Sequence, residues 1–436
     1  MNSVRARRAA HIVLAVFLAL TSGAAMPTEA GDRTLYSKQE LDAIYQQSPL
    51  RPLPRSATNR VADDGAVAEL GQRLFFDSRL SGNGQVSCAT CHRADLALTD
   101  GRAVAKTIAT GTRNTPTLLN AAYQHWFFWD GRADSMWSQA LQVMENPKEF
   151  GGDRLHIART IYGDPVLRRG YESAFGPMPP LGDLQRFPPH GRPEDHAQGP
   201  YQKAWEGMTP ADRDSVNRVF SNAGKAIEAY ERKLVSQGSP FDQYVEGLKS
   251  GDPAKLAALS PGAKRGLKLF VGEARCVLCH FGPAFSDGEF HNVGLPILAK
   301  RVADKGRADA IRALKTNIFN GTGPYSDARE GTAKDKLAYL PPSESELGKF
   351  KTPTLRNVAK TAPYMHDGRF TTLEQVVQLY ADGKKASRGK HVGVREATLD
   401  LIPSLTPGEV ADLVAFLNTL NGAELPQALL EKPPSD

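Results

Sequence analysis

Two short stretches, CATCH (88–92) and CVLCH (276–280), decide what kind of fold this chain of 436 residues forms. Each is a C-x-x-C pair followed at once by histidine, the pattern for covalent attachment of a c-type haem. In this pattern the two cysteines bond to the haem vinyl groups, and the histidine reaches the iron. The sequence therefore predicts two covalent haems c, held by Cys88, Cys91, His92, Cys276, Cys279 and His280.

The four cysteines of the chain all lie in these two motifs. Four cysteines in an exported protein could form two disulfides instead, and a C-x-x-C pair can bind zinc. The histidine directly after each pair favours haem over disulfides. No further thiol accompanies either pair to complete a zinc site.

The sequence around the two motifs repeats weakly. GQRLFFD (71–77) precedes the first motif, and GLKLFVG (266–272) precedes the second. LTDG (98–101) follows the first motif, and FSDG (285–288) follows the second. A repeat of this kind predicts two related units, each carrying one haem.

The N-terminus has the layout of a secretory signal. A segment with three arginines precedes the apolar run 12–20, which is followed by small residues at 21–25. The apolar run is shorter than the roughly 20 residues of a membrane-spanning helix. We expect residues 1–25 to be a signal peptide, cleaved after Ala25 or, as second choice, Ala30. An uncleaved anchor is the alternative.

The remaining composition is that of an exported soluble protein. Without the first 25 residues the chain has 51 basic and 48 acidic residues, a net charge of +3. This small excess does not indicate a nucleic-acid partner. Because haem c is attached outside the cytoplasm, we expect a periplasmic protein with no stable membrane span.

The organisation of the chain is read as mainly α, with two cytochrome c-like haem domains and long loops. Few segments alternate with period two, whereas 209–236 has helical periodicity. Loop-rich insertions are expected at 176–200 and 292–348, and the last residues, 431–436, are expected to be loose. The predicted parts are a signal peptide (1–25), an N-terminal arm (26–60), a first haem domain (61–245), a second haem domain (246–422) and a tail (423–436).

Four further motifs resemble those of one family. They are RNTPTLLNAAY (113–123), FWDGRAD (128–134), SPFDQY (239–244) and FKTPTLRNVAKTAPYMHDGRF (350–370). With two haem motifs 188 residues apart, the chain resembles the bacterial di-haem cytochrome c peroxidase and MauG superfamily over roughly residues 65–422. The resemblance implies a peroxide-reacting N-terminal haem and an electron-transfer C-terminal haem.

The resemblance also implies a distal pocket over the first haem. Gln139 and Glu149 match its two polar residues, and Trp129 matches the tryptophan between the haems. Glu149 would act as general acid–base on peroxide, while Gln139 would orient it. Glu145 is a competing carboxylate at the wrong spacing. Val143 departs from the family, which often has proline there.

A calcium site between the haems is implied in the same way. Asn114, Thr361 and Pro363 match its ligands, two of them through backbone carbonyls. Oxygen donors of this kind suit a hard cation such as Ca²⁺.

The first haem is expected to be open to peroxide. Typical members of the family have a loop histidine that blocks this iron in the resting form. Here the segment between His92 and Asn114 contains neither histidine nor methionine. His125 is the nearest alternative ligand, although a packing or surface role is the simpler interpretation.

Tyr380 is the candidate sixth ligand of the second haem. It ends the apolar face of LEQVVQLYADG (373–383) and stands fourteen residues after His366, where the family places this ligand. The peroxidases proper have methionine there, and MauG-like members have tyrosine. The alternatives are that Tyr380 only packs, or that Met365 is the ligand.

These residues together predict a hydrogen-peroxide-dependent oxidoreductase of MauG-like type. Its electron donor would be a small cytochrome c, a copper protein or a residue on a protein substrate. Ala274 replaces the surface tryptophan that MauG uses on its partner, so the MauG substrate is not assigned. The alternatives are a conventional cytochrome c peroxidase and a non-catalytic di-haem electron carrier. The protein could be a monomer or a homodimer.

Overall fold

The computed structural model describes residues 31–194, 199–299, 301–328, 331–383 and 389–434. The predicted signal peptide and both predicted cleavage sites lie outside these ranges. Within them the chain is mainly helical, as predicted. No helix in the described part is long and apolar enough to cross a membrane.

The helices fall into an arm and two units. The arm carries α1 (Lys38–Gln46). The first unit carries α2 (Gly65–Phe75), α3 (Cys88–Cys91), α4 (Met136–Glu145), α5 (Arg154–Gly163), α6 (Pro165–Phe175), α7 (Pro200–Gly207) and α8 (Pro210–Glu231). The second unit carries α9 (Pro240–Ser250), α10 (Pro253–Leu256), α11 (Pro261–Val271), the strand β1 (Phe290–His291), α12 (Arg307–Thr316), α13 (Thr332–Ala338), the strand β2 (Phe350–Lys351), α14 (Leu373–Ala381) and α15 (Pro407–Leu417). The two strands pair antiparallel.

Helix α8 is the centre of the first unit. Thr209 caps its first turn by accepting a hydrogen bond from the Asp212 N–H, and Pro210 occupies the first helical position, where no N–H is needed. Phe220 and Ile227 are fully buried, and α2, α4 and α5 pack around the helix. The first haem motif therefore rests on a rigid apolar scaffold.

An aromatic cluster forms the centre of the second unit. Phe241, Phe270, Phe285 and Phe416 contact one another with ring centroids 5.1 to 6.2 Å apart, mostly edge to face. Phe285 lies five residues after the haem-motif histidine. The cluster therefore fixes the loop that follows the second motif.

Each unit has a glycine where two of its helices cross. A Cβ atom on Gly71 would lie 1.8 Å from the Ala226 carbonyl oxygen, and one on Gly266 would lie 1.9 Å from that of Asp412. These glycines open the repeated segments GQRLFFD and GLKLFVG. The glycine is therefore repeated in both segments because both helix pairs, α2 with α8 and α11 with α15, cross too closely for a side chain.

The predicted boundary between 245 and 246 was wrong, because α9 runs across it. Tyr244 is fully buried in the second core. Arg356, from later in the second unit, donates to Asp242 of the same helix at 2.6 Å. Since Ser239 caps α9, the division between the units lies before this residue.

The arm belongs to both units. Ile44 of α1 is fully buried in the second core, and Arg33 donates to the Leu248 carbonyl at 2.5 Å. Further along, Thr58 accepts a hydrogen bond of 3.0 Å from the Trp137 indole in the first core. The arm therefore ties the two units together.

The tail crosses back to the first unit, so the expectation of loose final residues was wrong up to residue 434. The Tyr230 hydroxyl donates to the Leu429 carbonyl at 2.5 Å, and the Gln72 amide donates to that of Glu431 at 2.9 Å. Apolar residues between 425 and 430 pack against the first core. These contacts are made by backbone carbonyl groups. Every residue has one, so no sequence pattern indicates the contacts.

The two insertions contribute to the first core. Phe187 of the segment 176–200 is fully buried there. Phe319 and Tyr325 of the segment 292–348 are also buried in it, although they follow the second haem motif in the sequence. The second unit thus covers part of the first.

We predict that Gly71→Ala destabilises the protein. Because the added methyl group meets backbone rather than a movable side chain, the free energy of unfolding should fall by about 1–3 kcal/mol. Urea unfolding of the haem-loaded protein measures it. Gly65→Ala is the matched control, since a Cβ there has open space. Equal stability of the two variants would contradict the crossing described here.

Candidate functional site

One continuous cavity of about 790 Å³ lies between the two units. Every site residue predicted from the sequence lines it, so the structure brings all of them together, while their roles remain predictions. These residues are Cys88, Cys91, His92, Asn114, Trp129, Gln139, Glu149, Cys276, Cys279, His280, Thr361, Pro363 and Tyr380.

The first haem motif is a single helical turn. Ser87 caps it together with Thr90, and the His92 N–H donates to the Cys88 carbonyl at 2.9 Å. The His92 Nδ1–H donates to the Leu98 carbonyl, also at 2.9 Å. This bond fixes the tautomer and leaves the lone pair of Nε2 free for the iron. Burial lowers the pKa of His92, which also favours the neutral form.

The second motif repeats this geometry. The His280 N–H donates to the Cys276 carbonyl at 2.9 Å, and its Nδ1–H donates to the Phe285 carbonyl at 2.8 Å. Leu98 and Phe285, the two accepting residues, both adopt positive φ values, 58° and 52°. The segments LTDG and FSDG therefore have the same structural role, since each supplies the carbonyl that orients the haem-motif histidine of its unit.

The donor set fits two c-type haems. None of the four cysteines forms a disulfide. In the described part of the chain the only cluster of potential metal-binding side chains is Cys279, Asp287 and His291. Because Cys279 belongs to a haem motif, this cluster is explained without a separate metal ion.

Two exchanged hydrogen bonds join the units across the cavity. The Asn114 N–H donates to the His366 carbonyl, and the Lys351 N–H donates to the Trp129 carbonyl, both at 2.8 Å. Asn114 and Lys351 immediately precede the two copies of a TPTL segment, and Trp129 and His366 immediately precede the two copies of DGR. The bonds therefore relate the units by an approximate twofold symmetry.

Backbone conformation supports this symmetry. Phe128 and Met365 have φ values of 63° and 71°, and Asn120 and Asn357 have 60° and 61°. Such values are uncommon outside glycine. The values agree in both pairs of equivalent residues, so the two segments share one backbone conformation at these positions.

The symmetry makes Val143 and Tyr380 equivalent. Ser135 caps α4 and Thr372 caps α14, each through its side chain. Val143 and Tyr380 each stand eight residues after their cap, and both line the cavity. The same helix position therefore carries an apolar side chain in one unit and a phenol in the other.

Tyr380 lines the cavity between the two units. Leu373 and Val377 of its helix line the same cavity and are also buried in the second core, to which Tyr380 does not belong. Burial, together with the nearby thiols of Cys279 and Cys276, raises the pKa of its phenol. Within the described ranges no hydrogen bond involves its phenol oxygen, so this atom is available to a ligand.

Glu149 is held in a tight turn at the cavity wall. Its carboxylate accepts a hydrogen bond of 2.7 Å from the Asn146 amide, and its N–H donates to the Asn146 carbonyl at 3.0 Å. Burial raises the pKa of Glu149, while the positive charge of Arg132 and the bond from Asn146 act to lower it. Gln139 lies on α4 and lines the same cavity.

Two alternative residues lie outside the cavity lining. Glu145 forms hydrogen bonds of 2.9 and 2.7 Å with Arg154, which occupy its carboxylate. His125 lies beside Gly288, and burial lowers its pKa. Met365, the alternative to Tyr380, does line the cavity.

The predicted calcium ligands lie near the symmetry-related bonds. The Asn114 amide donates to the Arg102 carbonyl at 2.8 Å, and the Asn114 carbonyl accepts the Trp129 indole N–H at 2.9 Å. Thr361 and Pro363 line the same cavity from the second unit. Their role in binding calcium remains a prediction.

Arg113 is a residue that the sequence interpretation missed. It donates to Asp130 at 2.5 Å and to both carboxylate oxygens of Asp304 at 2.8 Å. These partners come from different units. Burial opposes both pKa shifts, but the carboxylates of Asp304 and Asp130 raise the pKa of Arg113, and the charges of Arg132 and Arg113 lower that of Asp130. Asp304 lies in the insertion, where no local pattern marks it.

His366, the symmetry partner of Trp129, stacks on Phe350 with ring centroids 3.7 Å apart. Burial lowers the pKa of His366 to about 4, so the ring is neutral at ordinary pH. Trp129 and His366 thus place two different aromatic groups at equivalent points of the interface.

Comparisons with known proteins agree with this geometry. A family model described as di-haem cytochrome c peroxidase matches residues 65–250. The chain is 32% identical over 383 residues to cytochrome-c peroxidase IdrP1 of Denitromonas iodatirespirans, covering 86% of each chain. It is 29% identical over 417 residues to methylamine utilization protein MauG of Methylorubrum extorquens, covering 94% of this chain and 93% of the relative.

Among solved structures, the chain resembles a MauG-like protein associated with microbial copper homeostasis. The TM-score is 0.60 and the identity 28%, over 88% of this chain and 97% of the other. Because both haem motifs face one cavity and the sequence similarity extends over both units, the chain belongs to the di-haem cytochrome c peroxidase and MauG family of haem enzymes.

Proposed function

We propose that this protein is a periplasmic, hydrogen-peroxide-dependent oxidoreductase whose second haem has MauG-like histidine–tyrosine ligation. The observation that carries the proposal is the contrast between two equivalent positions, Val143 and Tyr380, which both line the cavity. One offers no donor atom, and the other offers a phenol. The two haem sites are therefore suited to different tasks.

The first site is suited to peroxide. Haem iron, when bound, supplies the redox and coordination chemistry on which peroxide cleavage depends. Val143 offers no donor atom to this site. Glu149 takes a proton from peroxide and returns it to the leaving oxygen, and Gln139 orients the peroxide by hydrogen bonding.

The second site is suited to holding oxidising equivalents. The Tyr380 phenol is neutral in its buried setting, since burial raises its pKa. Coordination to a cationic metal favours loss of its proton. Tyrosine is the residue that holds the haem iron in catalase, and the Tyr380 phenolate would stabilise the oxidised form of the site. Packing alone, or ligation by Met365, are the competing assignments.

Trp129 lies between the two sites and is proposed as the electron relay. Its indole N–H donates to the Asn114 carbonyl, which fixes the ring in the cavity wall. The electrons would come from a small cytochrome c, a copper protein or a residue on a protein substrate. Ala274 is fully buried, so nothing at that position offers a route to a partner surface.

Two further elements belong to the proposal. Asn114, Thr361 and Pro363 would hold a calcium ion through oxygen donors, which suit this cation. The N-terminal sequence supports export to the periplasm. Both are properties expected of the mature protein.

The proposal is tested by spectra of the purified di-haem protein before and after one equivalent of hydrogen peroxide. A mixed high-spin and low-spin resting state, with a long-lived change after peroxide, supports it. Rapid turnover with reduced cytochrome c would instead identify a conventional cytochrome c peroxidase. A fully low-spin protein inert to peroxide would identify an electron carrier.

We predict that Tyr380→Met raises the reduction potential of the second haem, because a thioether replaces an anionic oxygen donor. The long-lived response to peroxide should be lost as well. Redox titration followed by absorbance measures the first effect. Leu379→Met is the control, since it adds methionine one residue away on the same helix and should leave the potential unchanged.

We predict that Val143→Tyr converts the first haem to a six-coordinate, low-spin site. The symmetry places the new phenol where Tyr380 lies in the second unit, so the peroxide reaction should slow at least about tenfold. Electron paramagnetic resonance and stopped-flow absorbance report the two effects. Val143→Ile, which adds bulk without a donor, should stay high-spin. A high-spin Val143→Tyr protein would refute the equivalence.

We predict that Glu149→Gln slows the peroxide reaction by about 10²–10⁴-fold, the usual contribution of general acid–base catalysis. Stopped-flow rates at several peroxide concentrations measure it. A loss of less than threefold would show that Glu149 is not the proton carrier.

The pH profile gives an independent check on Glu149. The positive charge of Arg132 lowers the pKa of Glu149, so Arg132→Gln should raise that pKa. The carboxylate form would then be lost at a higher pH, and the acidic limb of the rate profile should shift upwards. Arg132→Lys keeps the charge and should leave the limb in place.

A further inference from the structure

Three of the four tryptophans have a cation over the indole ring, and Trp129 does not. Within the described residues, no lysine or arginine side chain lies over the Trp129 ring. The cation-to-centroid distances are 4.1 Å for Lys336 and 4.3 Å for Arg307 over Trp126, 5.6 Å for Lys225 over Trp137 and 5.2 Å for Arg154 over Trp205.

A cation over an indole ring opposes its oxidation. The neutral ring attracts the cation through the negative face of its π system. Loss of one electron makes the ring positive, so the attraction becomes a repulsion between like charges at about the same distance. Trp129 instead donates its N–H to the Asn114 carbonyl at 2.9 Å, and this bond strengthens when the ring becomes positive. The charges therefore favour electron loss from Trp129.

Trp126 is the tryptophan that most needs this protection. It lies three residues before Trp129 in the same segment, and its ring packs against Phe290 with centroids 6.0 Å apart. It is also the only one of the four with two cations over its ring, among the described residues. An oxidising equivalent at Trp129 has this second indole close by in the chain.

Backbone carbonyls hold both cations in place. Arg307 is 2% exposed and donates to the Gly131 carbonyl at 2.6 Å. Lys336 donates to the Asp134 carbonyl at 2.9 Å and also to that of His125. Both cations come from the segment 292–348, whose purpose the sequence did not reveal. Carbonyl groups carry no net charge, so these hydrogen bonds do not neutralise either cation, although the Asp134 carboxylate partly offsets the charge of Lys336.

We propose that Lys336 and Arg307 are positioning residues that keep Trp126 out of the electron path, so that the oxidising equivalent stays on Trp129. This inference rests on the proposed function. In turnover Trp129 gives one electron to the peroxide-oxidised haem site and regains one from the protein donor. Without a donor, an unprotected Trp126 is oxidised to hydroxytryptophan, which takes one oxygen atom from hydrogen peroxide and leaves one water.

The test compares variants of Lys336 in the haem-loaded protein. Lys336→Gln removes the charge but keeps a hydrogen-bond donor, and Lys336→Arg keeps the charge. Lys334→Gln is the control, because Lys334 is an exposed lysine of the same helix. Each protein receives repeated equivalents of hydrogen peroxide without an electron donor. Peptide mass spectrometry then measures the fraction of Trp126 that has gained one oxygen atom.

We expect Lys336→Gln to raise the oxidised fraction of Trp126 about tenfold, as removal of a close charge should. Lys336→Arg and Lys334→Gln should match the unmodified protein. Protection in Lys336→Gln equal to that of the unmodified protein would overturn the proposal, because only the charge has been removed. Equal damage in Lys336→Arg and Lys336→Gln would overturn it too, since it would show a packing role.

A second oxidant separates this inference from the proposed function. The haem absorbance reports whether peroxide reacts at all, which tests the proposed function. Two equivalents of a photogenerated one-electron oxidant convert tryptophan to hydroxytryptophan, with the oxygen atom from water and the release of two protons, and this needs no peroxide reaction at the haem. The same order of Trp126 damage among the variants is expected with this oxidant. Equal damage in all of them would overturn the inference whatever the response to peroxide.

Discussion

The exchanged hydrogen bonds from Asn114 to His366 and from Lys351 to Trp129 are the constraint on which the site depends. Each unit completes the backbone hydrogen bonding of the other at the point where the cavity forms. Buried backbone groups left unpaired are costly, so the two segments hold one another in register. The relative placement of the two haem motifs follows from this pairing, and so does the position of the Trp129 indole in the cavity wall.

The duplication gives two similar frameworks, and a few side chains make them chemically different. Val143 and Tyr380 share a helix position, and Trp129 and His366 share an interface position. Neither change alters the backbone around it. Under the proposed function, peroxide chemistry and charge storage are separated by side-chain identity while the fold stays the same. The positive charge over Trp126 adds a further difference, because it comes from an insertion that follows only the second motif.

The parts of the site that the sequence could predict are those encoded by neighbouring residues. CATCH and CVLCH each contain every atom needed to attach a haem and ligate its iron, so spacing alone identified them. The location of the division between the units was missed because α9 packs through Tyr244 on residues far along the chain. The ion pairs of Arg113 and the two cations over Trp126 were missed for the same reason. Tertiary proximity of this kind leaves no local pattern.

The crossing of the tail onto the first unit has a consequence for how the molecule is made. Synthesis runs from the N-terminus, and domains generally fold in that order. The Tyr230 hydroxyl of the first unit is paired with the Leu429 carbonyl, which lies near the end of the chain. The unit that is made first is therefore finished last, after the entire second unit has been synthesised. If haem is attached at CATCH while the chain is still being made or exported, attachment precedes the docking of the tail on the first unit.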